Sequence, residues 1–197
     1  MTDPSPLVAT KRLLAFQTPA DPDDAYENRI HIPNADRHLA TWPKNAATFR
    51  RSFADADLNL AYGSSKRTYY DLFTPQGGIE ASCGLAAFVH GGYWVALSKD
   101  DFSHMAAGLL ARGWAVAILG YTLAPQARIT QITQEISTAV EHLSKTGTGP
   151  LRLIGHSAGG HLVSRMMCDD MPFGPVTTQR FDRVLSVSGL HDLRPLQ

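Results

Sequence analysis

Gly155-His156-Ser157-Ala158-Gly159-Gly160 sets one serine between two glycines. A serine hydroxyl is a poor nucleophile until a base takes its proton and donors hold the developing oxyanion. The short apolar run Leu151-Arg152-Leu153-Ile154 follows Pro150, and His161 to Met167 reads as a helix. Strand, G-x-S-x-G and helix in that order are the context of a nucleophile elbow. Gly155 and Gly159 let strand and helix approach closely, which pushes the Ser157 hydroxyl clear of the backbone. The Ala158 N–H then lies at a helix N-terminus, where it can meet negative charge. Alone, G-x-S-x-G is a weak pattern, because glycine and serine are common in turns.

A second stretch adds the missing donors. Gly84 to Val89 is apolar throughout and ends in His90-Gly91-Gly92-Tyr93-Trp94. Two glycines after a buried strand leave backbone N–H groups free to point into a cavity. With Ala158 they form an expected oxyanion hole, in which one donor is typically worth about 3 kcal/mol. Tyr93 and Trp94 read either as a stacking surface for an aromatic substrate or as core. His156 reads as a wall of the site or as a structural neighbour. His161, one helical turn past Ser157, reads as a satisfied packing residue. Met166 and Met167 read as core filler. His104 and His142 fall on polar helix faces. The histidines form no HExxH cluster, so no metal is expected, and no GxGxxG is present for a dinucleotide.

The elements that must carry these groups follow from periodicity. Leu39, Trp42, Ala46, Phe49 and Phe53 mark the inner face of a helix over 38–54, with Pro43 near its start or splitting it. Leu58–Tyr62 and Arg67–Phe73 read as an opening strand pair, antiparallel at one edge of the sheet. Gly84–Val89 and Trp114–Leu119 are short apolar strands. Between them Ser98 caps an expected helix with Phe102, Met105, Ala106, Leu109 and Leu110 inward, stopped by Gly113. Ile129, Ile132, Ile136, Ala139, Val140 and Leu143 mark a second covering helix. Arg183–Val187 is a last strand. Apolar strands alternating with amphipathic helices predict a mostly parallel α/β sheet with helices on both faces. Sites in such sheets lie beyond the carboxyl ends of strands, where both glycine motifs fall.

Size and composition narrow the reading. The 197 residues suit one domain, with a loosely held arm over 1–25 and the α/β domain over 26–197. Lys+Arg and Asp+Glu balance at 18 each, so nothing electrostatic points to nucleic acid or an anionic membrane. No leader or bilayer-length apolar run is present, which predicts a cytoplasmic protein. Cys83 and Cys168 lack CxxC spacing and read as buried free thiols.

His90-Gly91-Gly92-Tyr93-Trp94, Tyr121-Thr122-Leu123-Ala124-Pro125 and Gly155-His156-Ser157-Ala158-Gly159-Gly160, in this order, resemble the α/β-hydrolases of the hormone-sensitive-lipase-like esterase group. The HGGYW form looks most like the kynurenine formamidase (arylformamidase) branch and its bacterial esterase relatives. The resemblance implies a cofactor-independent hydrolase of carboxylic esters or aryl formamides, acting on a small molecule. It implies Ser157 as nucleophile and oxyanion donors from the Gly91, Gly92 and Ala158 backbones, with Tyr93 as a further candidate. His90 would brace the glycine loop by hydrogen bonding. One departure is Gly120, where members of the esterase group often carry an aspartate.

In this fold the triad runs Ser, then Asp or Glu, then His. After Ser157 only His161 and His191 remain, the latter beside Asp192. The expectation is therefore a chain that stops before the family's acid and base, with weak or no turnover alone. Val184, Leu185 and Val187 would then lie on an uncovered edge strand, open to pairing or to a homodimer. The rival reading is a catalytically incomplete remnant that acts as a binding or interaction protein through that edge.

Overall fold

The computed structural model describes residues 28–53 and 56–194. The arm expected over 1–25 lies outside them. The described residues form two compact units, 28–37 with 192–194, and 38–191. The smaller unit holds a short helix, α1 (Asn28–His31), and two exposed ion pairs, Arg29–Asp36 and Arg194–Asp192. Exposed pairs of this kind add little stability.

The larger unit is built on a six-stranded sheet. Its strands are β1 (Asp57–Ala61), β2 (Tyr69–Phe73), β3 (Leu85–Val89), β4 (Ala115–Leu119), β5 (Leu151–His156) and β6 (Phe181–Val187). The spatial order is β1-β2-β4-β3-β5-β6. β1 and β2 pair antiparallel, and β2 joins β4 antiparallel; β4, β3, β5 and β6 are parallel. The expected mixed edge and parallel centre are both present. Every residue of β3 and of β4 is buried, as continuous apolar strands in a two-sided sheet must be.

Pleat alternation sends Phe88 to one face. There it joins Phe73, Val116, Ile118 and the partly buried Ile154. Helix α2 (Ala35–Ser52) covers this face with Trp42 and Phe49, and Phe53 just past its end packs there as well. Pro43 lies inside α2 without ending it, so the helix is one piece. The opposite pleat face, with Leu85, Ala87 and Val89, is fully buried. On that side α5 (Ala158–Arg165) packs on β3, β5 and β6, with α4 (Ile129–Leu143) alongside. The predicted apolar stripe of α4 is present: Ile132, Ile136, Ala139, Val140 and Leu143 are all solvent-free.

Three expectations fail locally. The helix predicted after Ser98 is broken into two 3-10 turns, Lys99–Asp101 and Ser103–Ala106, followed by the four-residue α3 (Ala107–Leu110). Ser98 and Asp101 do make their cap, the Asp101 carboxylate accepting the Ser98 N–H at 2.8 Å. The break has a competitor: Arg50 takes the Asp100 carbonyl at 2.6 Å, and Lys99 is drawn inward onto Asp71 at 2.7 Å. Met105 is consequently 44% exposed rather than internal. Cys83 and Cys168 are free thiols but exposed, because Cys83 precedes the buried strand and Cys168 follows α5. Met166 is core, whereas Met167 lies past the helix end in solvent. A further helix, α6 (Pro175–Arg180), was not anticipated; Pro175 after Gly174 was its signal.

Candidate active site

Ser157 sits where β5 ends and α5 begins. Its backbone is at φ 54°, ψ −118°, outside even the left-handed helical well. Such a conformation costs of order 1–3 kcal/mol and persists only where surroundings impose it. Two hydrogen bonds do so: the Ser157 N–H donates to Val187 O at 2.9 Å, and the His161 N–H to Ser157 O at 3.2 Å. The flanking glycines explain the tight turn. A Cβ on Gly155 would lie 2.1 Å from Gly159 O, and one on Gly159 would lie 2.1 Å from Val89 O. No side chain fits at either place. Ser157 itself is half-buried, at the site's surface rather than inside the packed interior.

The glycine loop after β3 meets this turn. A Cβ on Gly91 would lie 2.9 Å from His156 O and 3.1 Å from Ser157 Cβ. The loop continues through Gly92 (φ 106°), Tyr93 (φ 53°) and Trp94 (φ 60°), three successive residues in the left-handed region. The turn is closed by the Val95 and Ala96 N–H groups, both donating to Gly92 O. Among the described residues, the N–H groups of Gly91, Gly92 and Ala158 donate to no protein acceptor. Donors left free beside a nucleophile are what an oxyanion site requires.

His90 is wholly buried. It stacks between Tyr121, at 4.3 Å, and Phe102, at 5.8 Å. Its Nδ1 donates to Gly91 O at 2.7 Å, and its Nε2 has no partner among the described residues. Burial lowers its pKa to about 4, so the ring is neutral at pH 7. Trp94 is core, 2% exposed and edge-on to His161, while Tyr93 is 39% exposed. Of the two readings for that pair, Trp94 packs and Tyr93 faces solvent. The His156 ring meets Trp42 edge-on at 6.3 Å and lines an apolar cleft of about 410 Å³ with Met105, Leu109, Ile154 and Val187.

No imidazole among the described residues hydrogen-bonds the Ser157 hydroxyl. His161 is packed but not satisfied, because its Nδ1 has no partner among the described residues; burial lowers its pKa to about 4. His191 Nε2 lies 3.2 Å from Ser186 Oγ, and Asp192 pairs with Arg194. His142 is not on a free polar face: its ring meets the Tyr70 hydroxyl at 3.2 Å. No group of three or more His, Cys, Asp or Glu among the described residues could hold a metal.

Gly120, the departure from the esterase pattern, has a steric cause. A Cβ there would sit 2.8 Å from Arg67 O. The nearby buried acid is Asp71 of β2, paired with Lys99. Sequence reasoning gave no role to two residues that reach this loop. The Tyr121 hydroxyl donates to His90 O at 2.9 Å and to Gly91 O at 3.3 Å. The Arg67 guanidinium donates to Tyr121 O at 2.9 Å and to Leu97 O at 2.6 Å. The YTLAP motif was the available signal for Tyr121; nothing in the sequence singled out Arg67.

The BD-FAE family model matches residues 70–171, just over half of the chain. A kynurenine formamidase of Salmo salar is 29% identical over 175 residues, covering 87% of this chain and 58% of that protein. A kynurenine formamidase of Drosophila melanogaster is 30% identical over 145 residues, 70% of this chain and 47% of that one. A crystal structure from Silicibacter sp. TM1040, provisionally named a thioesterase, is 47% identical with a TM-score of 0.84. It covers 88% of this chain and 65% of its own. Esterase B of Lactobacillus rhamnosis, 22% identical with a TM-score of 0.53 over 78% of this chain and 55% of its own, shares the fold. The chain thus spans between about half and two thirds of the length of these four relatives. No helix among the described residues is long and apolar enough to cross a membrane.

Proposed function

Because the chain belongs to the BD-FAE family and has the α/β-hydrolase fold, we propose that it is a serine hydrolase of small carboxylic esters or aryl formamides, working in the cytoplasm. Ser157 attacks the substrate carbonyl and forms an acyl-enzyme. The Gly91, Gly92 and Ala158 N–H groups hold the oxyanion. The observation that carries this reading is the close approach of the two glycine motifs, with all three amides unpaired, among the described residues, beside a strained serine. The kynurenine formamidase relatives favour a formamide; the esterase neighbour favours nothing beyond the fold. No cofactor is needed for this chemistry.

A nucleophile without a hydrogen-bonded base reacts slowly. The reading therefore expects weak turnover from this chain. The test compares p-nitrophenyl acetate with N-formylkynurenine, using Ser157→Ala as control. Slow, Ser157-dependent release of product supports the proposal. Turnover unaffected by Ser157→Ala contradicts it.

A second reading, a remnant that associates with another copy through its sheet edge, is favoured by one observation. Among the described residues β6 is an edge strand of the sheet, and Leu185 and Val187 on it are 55% and 42% exposed. An open apolar edge is a template for pairing. Sedimentation of the wild type against Leu185→Lys tests it: a dimer that the lysine dissolves supports this reading, and a monomer in both cases removes it.

A further inference from the structure

We propose that Tyr121 is the positioning residue of the oxyanion loop, its hydroxyl gripping the His90 and Gly91 carbonyls on one side and so turning the Gly91 and Gly92 N–H groups to the other, toward Ser157. This rests on the serine-hydrolase reading above. The geometry follows from the trans peptide, in which C=O and N–H point in opposite directions. The His90 carbonyl shares a peptide with the Gly91 N–H, and the Gly91 carbonyl shares the next with the Gly92 N–H. One donor that reaches both carbonyls fixes both amides. The Tyr121 hydroxyl is that donor, at 2.9 Å and 3.3 Å.

His90 cannot replace it. Its Nδ1 holds only Gly91 O; the His90 carbonyl itself is held, among the described residues, by Tyr121. The tyrosine ring is wholly buried and stacked on the His90 ring, so its hydroxyl has one place to go. Burial also raises the phenol pKa, which keeps the group a donor throughout the working range. The same segment secures the loop's far end. The Ala124 N–H donates to Trp94 O at 2.8 Å, and Arg67 ties Tyr121 O to Leu97 O. A loop with positive φ at Gly92, Tyr93, Trp94 and Leu97 needs such restraint.

Tyr121→Phe removes the grip and keeps the ring. Displacing oxyanion donors by a fraction of an ångström weakens a bond made in the transition state more than one made to bound substrate. In the 197-residue chain, with p-nitrophenyl acetate as probe, kcat falls by about tenfold to a hundredfold and KM stays within about twofold. Backbone ¹⁵N relaxation shows Gly91 and Gly92 more mobile than in the wild type. Tyr70→Phe, which removes a buried-side phenol contact to His142 away from the loop, leaves kcat unchanged. Should Tyr121→Phe melt below the assay temperature, the rate and relaxation measurements are repeated on it below its melting temperature, with the wild type alongside at the same temperature and the same kcat loss expected. Retention of both kcat and loop order in the variant overturns the proposal. If Ser157→Ala keeps the wild-type rate, the hydrolase reading fails, and the relaxation measurement alone then decides whether Tyr121 orders the loop.

Discussion

Gly91 lies against Ser157: a methyl group added to the glycine would stand 3.1 Å from the serine Cβ and 2.9 Å from the His156 carbonyl. Two motifs separated by more than sixty residues of sequence thus share one surface. Gly91→Ala cannot be accommodated without moving the loop off the Ser157 turn. The expected result is a kcat at least tenfold lower on p-nitrophenyl acetate, with KM little changed. Equal kcat in the two proteins would separate the loop from the chemistry.

Buried neutral histidines make stability depend on pH. Burial lowers the pKa of His90 and of His161 from 6.5 to about 4. A depressed histidine pKa favours the folded state above pH 6.5, where both states are neutral at the ring. As pH falls from 6.5 toward 4 the unfolded chain takes up protons that the folded chain refuses, so stability is lost across that window. Urea unfolding midpoints should fall steadily between pH 7 and pH 4.5, and His161→Gln should flatten the dependence by up to about one proton. A midpoint constant over that range would contradict the burial of both rings.

Asp71 and Lys99 form a pair in which the carboxylate is fully buried and one of its oxygens has no partner among the described residues. Removing only the cation leaves an uncompensated charge, which costs about 3–5 kcal/mol. Lys99→Met should lower the free energy of unfolding by about that amount, and adding Asp71→Asn should restore a good part of it. Additive losses in the double variant would show that the two side chains do not act as a pair.

The elbow was legible in the sequence because glycine at 155 and 159 is a steric necessity there, and the structure leaves no room for a Cβ at either position. The sheet was legible for a similar reason: β3 and β4 are buried on both faces and read as unbroken apolar runs. The helix after Ser98 was misread because its periodicity is real but its backbone acceptors are not free. Arg50, about fifty residues earlier, takes one of them, and no local pattern contains that information. Tyr121 was visible as part of a motif, yet its task depends on the direction of two carbonyls about thirty residues earlier in the chain. The exposure of Cys83 and Met105 was likewise set by what stands opposite them, not by their own chemistry.

The central claim is that one hydroxyl, on Ser157, forms a covalent adduct at a carbonyl-like centre. Intact-mass spectrometry after prolonged incubation with diethyl p-nitrophenyl phosphate, followed by peptide mapping, measures this without needing turnover. The account predicts a single diethylphosphoryl group on the peptide that carries Ser157, absent in Ser157→Ala and formed more slowly in Gly91→Ala. Modification at another residue, or an equal adduct in Ser157→Ala, would contradict it.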